Sequence, residues 1–288
     1  MQNKINIESF YPTSRSRLVG ASTLTVKAGF DDEKSAMEFP GDLRREHMPK
    51  HVAIIMDGHG RWAKNRGVAI KHGHDAGSAN LKKLVLSCCK FGIKVLTVYA
   101  FSTENWNRSK GEVDHMMNCF EGLVQSFDKE QITGQDMKFS VIGDKSRLPQ
   151  SLQSTICSAE ESTKANKGTH LVMALNYGGR YEITEAGKRI ASKIEQGILQ
   201  AKDINENLFE QHLQTTITEF PNPDLLIRTS GELRVSNFLL WQLAYTEFYF
   251  SSKLFPEFEE DDLIEAMKAF QGRQRRFGGR NNKAEITL

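Results

Sequence analysis

Short, almost wholly apolar runs recur along this chain, and they constrain its fold more than any other feature. Two of them, VAIIM at 52–56 and KVLTVYA at 94–100, lack the alternation of polar and apolar residues that a half-exposed strand shows. Strands of that kind are buried on both faces, as in a parallel sheet covered by helices. Amphipathic stretches of helical length separate the runs. The sequence therefore predicts an α/β fold with a mainly parallel six-stranded sheet surrounded by helices.

The expected elements alternate from His51 onward. Strands are predicted at 51–56, 94–99, 137–142, 169–175, 224–228 and 246–250. Helices are predicted near 61–66, 74–91, 112–129, 148–165, 180–197, 205–213 and 260–276. This regular succession favours one domain in that part of the chain.

The first 47 residues differ in composition from the rest. Residues 1–30 are rich in Ser and Thr, carry more basic than acidic residues and lack the apolar core of a secretory signal. This composition is typical of the remnant of an organellar transit peptide, and a disordered tail without a targeting function is the alternative. Residues 31–47 are mostly charged, so poor order is expected there.

Bulk composition argues against several kinds of partner and site. The formal charge is only +2, which gives no electrostatic reason to expect nucleic acid as a partner. No apolar run reaches the roughly 18 residues that a membrane-spanning helix needs, so no transmembrane segment is expected. The cysteines show no paired spacing typical of a zinc site or a disulfide framework; they are Cys88, Cys89, Cys119 and Cys157.

The first strand runs into residues that can bind a phosphate and a metal. Ligands of parallel α/β sheets bind beyond the carboxyl ends of the strands, so Asp57 is a candidate Mg2+ ligand. Gly58 and Gly60 let backbone amides approach phosphate oxygens, and Arg61 adds a planar donor fork suited to phosphate. An ordinary strand-to-helix turn, in which Asp and Gly are common, is the alternative.

A second candidate anion site follows the fifth strand. Arg228 and Arg234 flank a loop of small residues and precede Ser236, a combination that can bind a diphosphate. Surface arginines in solvated ion pairs are the alternative. Glu247 is a charge at the start of an apolar strand, where it either pairs with an arginine or helps to hold a metal.

Five motifs, taken in order, resemble the cis-prenyltransferase family, whose bacterial type is undecaprenyl diphosphate synthase. They are HVAIIMDGHGRWAKNRG, YAFSTENWNRS, ALNYGGRYEI, PDLLIRTSGELRVSNFLLWQLAYTEFYF and RRFGG. The resemblance covers about residues 48–280 and implies a catalytic domain over 48–288. It also implies a homodimer, with an apolar tunnel between sheet and helices that receives the growing isoprenoid.

The resemblance implies roles for the residues of a first, allylic site. Asp57 is similar to the carboxylate that holds Mg2+ and the allylic diphosphate. Gly58, Gly60 and Arg61 match residues around the phosphates of that substrate. Trp62 matches a residue that contacts the isoprenoid, and His74 matches the histidine on the phosphate side. The flexible loop that closes over the substrates matches Ser102, Glu104, Asn105, Trp106 and Arg108. Of these, Ser102 and Asn105 are expected to take part in catalysis, together with Asp57 and His59.

The remaining matches concern the second substrate and the partner subunit. Arg228, Arg234 and Ser236 are similar to the residues that hold the diphosphate of the nucleophilic substrate. Glu247 is similar to a further Mg2+ ligand. Arg276 and Gly278 fit the family's C-terminal Arg-x-Gly, which reaches into the second site of the partner subunit.

Three residues depart from the family pattern. His59 stands where the family carries asparagine, Leu233 where bacterial members carry histidine, and Ile70 where they carry a phosphate-binding arginine. A protonated His59 could donate a proton to the departing diphosphate. Alternatively, it replaces asparagine only as a hydrogen-bond donor.

The expected product follows from the branch of the family that the chain resembles. The tail and the bulky helix after the substrate loop are similar to the plant short-chain branch, which implies a plastid location in the chloroplast stroma. The His59 change is most similar to members that join two dimethylallyl diphosphates head-to-middle into lavandulyl diphosphate. One alternative is regular 1'-4 cis-condensation of dimethylallyl and isopentenyl diphosphate to neryl or Z,Z-farnesyl diphosphate, and another is a non-catalytic supporting subunit. Candidate plugs of the tunnel, with core packing as the default role, are Met116, Met117, Phe120, Leu123 and Phe127.

Overall fold

The computed structural model describes residues 39–40, 42–128 and 136–276 of the chain. Six strands form one sheet: β1 (His51–Ile55), β2 (Val95–Ser102), β3 (Lys138–Ile142), β4 (His170–Tyr177), β5 (Leu225–Arg228) and β6 (Glu247–Phe250). Their order across the sheet is β3-β4-β2-β1-β5-β6, and each of the five neighbouring pairs is parallel. The predicted six-stranded parallel sheet is thus confirmed.

Helices lie in the connections between the first five strands, as parallel pairing requires, and a loop with a short 3-10 helix, Gln242–Tyr245, joins β5 to β6. The α-helices are α1 (His59–Asn65), α2 (Ile70–Lys90), α3 (Lys110–Asp128), α4 (Gln150–Thr163), α5 (Gly179–Glu195), α6 (Glu206–Glu210) and α7 (Glu260–Gln271). Each predicted helix is present. The largest difference at a helix start is that of α2, which begins at Ile70 and takes the glycine at position 73 into its first turns.

Each face of β1 packs into its own apolar cluster. Val52 and Ile54 belong to a cluster that also contains residues of α2, α3, α4 and α7. Ala53 and Ile55 belong to a second cluster on the other face. Because both faces are covered, successive residues of β1 are all apolar, which explains the continuous run in the sequence.

The segment just before β1 packs on α7, contrary to the poor order expected for residues 31–47. Leu43 is buried. The Gln271 side chain accepts from Arg44 N at 3.1 Å and donates to Arg44 O at 2.8 Å. The expectation is therefore wrong for residues 42–47, because an apolar anchor and a two-way hydrogen bond offset their charge. The predicted transit peptide lies outside the described residues, and the domain boundary at residue 48 stays a prediction.

None of the described helices combines the length and the apolar character that crossing a membrane requires.

Candidate active site

The carboxyl ends of β1 and β5 bring Asp57 and Arg228 together. Ile55 lies level with Arg228 in the sheet register, and Asp57 follows two residues later. Arg228 Nη2 donates to Asp57 Oδ2 at 2.9 Å, and Nη1 donates to Ser236 Oγ at 2.7 Å. The Arg228 side chain is almost fully buried. The carboxylate therefore has a fixed cation beside it.

Asp57 is ionised at neutral pH. Partial burial acts to raise the pKa of its carboxyl, but the hydrogen bond and positive charge of Arg228 outweigh it. Together with Ser230 and Arg61 they hold the pKa below its usual value. An ionised carboxylate offers the hard oxygen ligands that Mg2+ prefers. The donor chemistry at Asp57 therefore fits the predicted metal.

The turn after Asp57 requires a glycine and aims an arginine back at it. Gly58 has a φ of 111°, and a Cβ there would lie 2.9 Å from Leu254 Cδ2. On α1, Arg61 donates from Nη1 to Ser230 O at 2.9 Å and from Nη2 to Ser230 Oγ at 2.6 Å. Arg61 Nη2 also lies 3.5 Å from Asp57 Oδ1. Gly58 and Arg61, both predicted to surround a phosphate, thus lie beside the carboxyl ends of β1 and β5.

The loop after β5 has a left-handed backbone at residues other than glycine. The φ angles of Ser230, Ser236 and Asn237 are 75°, 46° and 62°. Such conformations cost energy and cluster at ligand-binding sites. Asn237 Nδ2 donates to Glu104 Oε1 at 3.0 Å, which ties this loop to the predicted substrate loop. Sequence reasoning named Ser236 and Glu104 but missed Ser230 and Asn237.

The predicted substrate loop forms a short 3-10 helix, Thr103–Asn107. Ser102 N donates to Asn105 Oδ1 at 2.9 Å, and the Ser102 side chain accepts from Asn105 N. Trp106 Nε1 donates to Asn176 Oδ1 at 2.8 Å. The two residues expected to be catalytic here therefore also cap the turn that positions them.

His59 lies between two other rings. It stacks on His74 with centroids 5.4 Å apart and lies 5.6 Å from Phe255. Burial, and next the neighbouring charge of His74, lower the pKa of His59 to about 3. The ring is therefore neutral at physiological pH. In the ligand-free chain a charge on His59 would lie in a buried site against a second imidazole. The predicted proton donation concerns the site with a diphosphate bound, and it stays a prediction.

His74 is linked to the substrate loop through a residue that sequence reasoning missed. His74 Nε2 lies 3.4 Å from Glu112 Oε1. The same oxygen accepts from Arg108 Nη1 at 2.8 Å. Glu112 stands four residues after Arg108, a spacing at which opposite charges often pair. That spacing was the available signal.

These residues surround a cavity of about 240 Å³. Its polar lining includes Asp57, His59, His74, Ser102, Asn105, Arg108, Arg228 and Ser236. Its apolar lining includes Leu81, Phe101, Met116, Phe120, Leu123, Met173 and Phe255. A lining of this composition can hold an amphiphile with an anionic head and a short apolar chain.

Only some of the predicted apolar contacts face the cavity. Of the five candidate plugs, Met116, Phe120 and Leu123 line it, whereas Met117 and Phe127 pack only within the core. Trp62 stands apart from the lining, with the Arg66 guanidinium 4.2 Å above its ring. The structure therefore does not place Trp62 against the space where an isoprenoid would lie.

Glu247 lies at the amino ends of the strands, whereas Asp57 lies beyond their carboxyl ends. It begins β6 level with Leu225 at the start of β5, whereas Asp57 follows the carboxyl end of β1. Its Oε2 accepts from Arg273 Nη1 at 2.8 Å. Within one chain, Glu247 and Asp57 therefore cannot share a metal ion. The sequence left two roles open for Glu247, a metal ligand or a partner of an arginine. The contact with Arg273 is the second of these.

The remaining second-site residues are not gathered at the cavity. Arg234 is largely exposed and pairs with Glu232 at 2.5 Å. Arg276 Nη2 donates to Gln274 Oε1 at 2.8 Å, and Gly278 lies outside the described residues. Their roles toward a second diphosphate stay predictions.

Two departures from the family pattern occupy different surroundings. Leu233 is 74% exposed and touches no cavity wall. Ile70 lies beside Gly60, where an added Cβ would come 3.4 Å from Ile70 Cδ1. An apolar contact therefore replaces the phosphate-binding arginine expected at position 70 from bacterial members.

The geometry can be compared with known proteins. The family model for undecaprenyl diphosphate synthase matches residues 55–278, most of the chain. The chain belongs to the cis-prenyltransferase family. It is therefore an enzyme that transfers prenyl groups, and members of this family generally use Mg2+. The supporting-subunit alternative loses its basis, because Asp57 and Arg228 stand together at the cavity.

Individual relatives agree with this assignment. Cis-prenyltransferase 7, chloroplastic, of Solanum lycopersicum is 54% identical over 80% of this chain and 81% of its own. The (2Z,6Z)-farnesyl diphosphate synthase of the same plant, also chloroplastic, is 53% identical over 81% of this chain and 80% of its own. These names confirm the predicted plastid location of this cis-prenyltransferase.

A solved structure shares the fold closely. The crystal structure of lavandulyl diphosphate synthase from Lavandula x intermedia, in complex with dimethylallyl diphosphate, superposes with a TM-score of 0.79. It is 53% identical and is matched over 81% of this chain and 99% of its own. The predicted resemblance to the plant branch is thereby confirmed.

Proposed function

We propose that this cis-prenyltransferase joins two dimethylallyl diphosphates head-to-middle into lavandulyl diphosphate. The observation that carries the proposal is the cavity, in which Asp57 and Arg228 adjoin an apolar lining and His59 takes the place of the family's asparagine. A similar structure whose described ligand is dimethylallyl diphosphate supports the choice of substrate. Regular chain elongation is the second candidate function.

The size of the cavity supports a short product. A cavity of about 150 Å³ accepts a six-carbon ring, so a cavity of about 240 Å³, part of which would hold the diphosphate, has room for a short prenyl chain only. Met116, Phe120 and Leu123 of α3 bound this space. A long polyprenyl chain would have to displace them, whereas a ten-carbon product would not. The apolar tunnel of the family is accordingly proposed to be short here.

The polar residues of the cavity have separate proposed roles in binding and ionising the allylic diphosphate. We propose that Arg228 and Arg61, which surround Asp57, donate to diphosphate oxygens and that Ser236 adds a hydroxyl. Asp57 would hold Mg2+, which when bound neutralises charge on the departing diphosphate. The donors are held by bonds to one another before substrate arrives, so little reorganisation is needed as charge develops.

His59 contributes to this site as a neutral group. In the ligand-free chain its pKa is near 3, so the ring that meets the substrate offers one N–H donor and one acceptor nitrogen at physiological pH. A neutral donor matches what asparagine provides in the family pattern. We propose that His59 donates to a diphosphate oxygen and that its flat ring, stacked on His74, shapes the wall that the two prenyl groups meet.

The second diphosphate site is proposed to be completed by a homodimer. Arg234 is exposed, and Glu247 lies away from Asp57 in its own chain. A partner's Arg-x-Gly, residues 276–278, would add a cation beside Arg234. Mixing an inactive Asp57→Asn chain with an inactive Arg276→Ala chain tests this, because hybrid dimers would regain one intact site. No recovery from mixed dimers would overturn it.

Regular 1'-4 cis-condensation with isopentenyl diphosphate is supported equally well by the relatives. A (2Z,6Z)-farnesyl diphosphate synthase is as similar in sequence as the lavandulyl enzyme. The same Asp57 and Arg228 arrangement serves both reactions, since both begin by ionising an allylic diphosphate. Only the nucleophile differs.

One incubation separates the two candidates. Purified protein with Mg2+ receives dimethylallyl diphosphate alone, and then with isopentenyl diphosphate added, and the dephosphorylated alcohols are identified. Lavandulol from dimethylallyl diphosphate alone establishes head-to-middle condensation. Nerol or longer Z-alcohols that form only with isopentenyl diphosphate establish regular elongation and overturn the first proposal.

A further inference from the structure

Three potential metal ligands converge between α2 and α3, beside the cavity. Asp75 lies on α2, and His115 and Cys119 lie one turn apart on α3. Asp75 Oδ1 is 3.0 Å from His115 Nε2 and 3.5 Å from Cys119 Sγ. His115 Nε2 is 3.3 Å from Cys119 Sγ. The three ligand atoms therefore form a nearly equilateral triangle.

The size of this triangle matches one face of a tetrahedral zinc site. Zinc binds sulfur at about 2.3 Å and imidazole nitrogen or carboxylate oxygen at about 2.0–2.2 Å, with tetrahedral angles. Those lengths place neighbouring ligand atoms about 3.3–3.6 Å apart. The observed separations differ from these values by about 0.3 Å or less. Only small side-chain movements would admit the ion.

We propose that Asp75, His115 and Cys119 bind a Zn2+ ion, with the fourth position open to water. Thiolate, imidazole and carboxylate form a mixed donor set that suits zinc and does not suit Mg2+, which prefers oxygen ligands alone. The site is thus chemically separate from the carboxylate at Asp57. The same atoms can form a plain hydrogen-bonded cluster, and the experiment below distinguishes the two.

The position of the cluster makes it accessible to an ion from solvent and places a bound ion next to the cavity. Asp75 is half exposed and His115 is partly exposed, so an ion can reach them from solvent. Cys119 lines the cavity, and the His115 ring lies 6.4 Å from that of His74. A bound ion would join α2 to α3, the helices that carry His74 and the cavity residue Met116.

Only two of the three ligands show a recognisable spacing in the sequence. His115 and Cys119 stand at a four-residue helical spacing that places both on one face. Paired cysteines, the usual signal of a zinc site, are absent from the sequence around them. Asp75 lies 40 residues earlier, so the third ligand could be found only once α2 and α3 were packed together.

Cobalt titration of the full-length, metal-free protein tests the proposal. Co2+ is added in excess Mg2+, so that the carboxylate site stays saturated, and a thiolate-to-cobalt charge-transfer band is followed. We expect a band that saturates at one ion per chain and is abolished by Zn2+. Cys119→Ser should remove the band, and Asp75→Asn and His115→Gln should each weaken Co2+ binding at least tenfold.

The matched control is Cys157→Ser, which changes an exposed cysteine on α4. This variant should keep the band with unchanged affinity. Circular dichroism of each variant verifies folding, and the surface change Asp75→Asn provides the decisive result if Cys119→Ser does not fold. Absence of the band in the natural sequence overturns the proposal. So does a band that survives Cys119→Ser or affinity that Asp75→Asn leaves unchanged.

Discussion

The ring of His59 lies so close to Gly77 that a Cβ at position 77 would come within 2.2 Å of His59 Nε2. One turn earlier on α2, a Cβ at Gly73 would come within 2.2 Å of the His59 carbonyl oxygen. Two glycines of α2 therefore create the space in which His59 lies. The unusual histidine and these glycines form one structural unit.

Gly77→Ala is expected to displace the His59 ring while leaving the fold intact. The added methyl group cannot share its position with Nε2, whereas alanine itself favours a helix. A displacement of about 1 Å in a site of this kind costs up to a hundredfold in rate. We expect kcat to fall roughly tenfold to a hundredfold, measured by product formation at saturating substrate.

Gly187→Ala is the matched control for that change. Gly187 also lies inside a helix, but a Cβ there would meet no atom within 4 Å. It should keep full activity and should slightly raise the melting temperature. Equal activity of the Gly77→Ala protein and the control would refute the placement of His59 against α2.

His59→Asn is expected to lower turnover only moderately. General acid catalysis contributes about 10²–10⁴ in rate, so loss of a true acid would be conspicuous. A neutral donor is replaced by another neutral donor, and we expect kcat within about tenfold of the unchanged protein. The pH profile of kcat/KM should lack an ionisation assignable to His59 between pH 5.5 and 8, because its pKa lies near 3. A loss of more than about a hundredfold would restore the acid role.

Arg228→Met is expected to impair both stability and activity. It removes the buried partner of Asp57 and leaves that carboxylate partly buried with less compensation. Breaking a buried pair costs about 3–5 kcal/mol, and because Asp57 is partly exposed we expect about 2–3 kcal/mol by urea unfolding. Loss of a diphosphate donor should lower kcat/KM by about 10²–10³.

Arg189→Met provides the comparison for Arg228. Arg189 is an exposed arginine that donates to the His212 carbonyl oxygen at 2.7 Å, away from the cavity. Its loss should change the free energy of unfolding by less than about 1 kcal/mol and should leave kcat/KM unaltered. Similar effects of the two substitutions would contradict a special role for the Asp57–Arg228 pair.

The sheet could be predicted because its strands are short and buried on both faces. The run VAII at 52–55 must lie inside a covered sheet whatever surrounds it. Asp57 and Arg228 could be predicted as neighbours in space for a related reason, since both follow carboxyl ends of parallel strands. These inferences depend on local composition and one topological rule.

The contacts of individual side chains were beyond local reasoning. The Cβ space above Gly77, and the distance between Glu247 and Asp57, depend on how α2 packs and on the strand to which each residue belongs. The lowered pKa of His59 depends first on its burial and then on a neighbour, His74, fifteen residues away in sequence. A motif identifies which residue stands at a position, but the packing around that residue determines its protonation state.

Met116→Ala is expected to lengthen the product. Met116 lines the cavity, and shortening its side chain adds apolar volume to the cavity beside α3. We expect products one or more five-carbon units longer when isopentenyl diphosphate is supplied, identified by chromatography of the alcohols. Met117→Ala is the matched control, since Met117 is equally buried but does not line the cavity. Its products should be unchanged in length. An equal increase in product length in both variants would contradict the proposal that Met116 limits the length of the product.

The buried residue His51 is expected to make the fold sensitive to mild acid. Its Nδ1 donates to the Phe220 carbonyl oxygen at 2.7 Å, so in the neutral ring Nε2 accepts from the Thr97 hydroxyl at 2.7 Å. Burial lowers the pKa of His51 from 6.5 to about 4. Between these values the unfolded chain binds the proton and the folded chain does not. Stability is therefore full above about pH 6.5 and falls as the pH drops toward 4.

Urea unfolding at pH 7.5 and pH 5 measures this dependence. The His51 shift corresponds to about 2 kcal/mol lost over that interval, with further loss from other buried histidines. His51→Gln should be less stable at pH 7.5 but should lose about 2 kcal/mol less on acidification. The exposed His72→Gln serves as the control and should keep the full pH dependence, because it leaves His51 and its two hydrogen bonds unchanged. If His51→Gln loses as much stability as the unchanged protein, proton exclusion at His51 is not the cause.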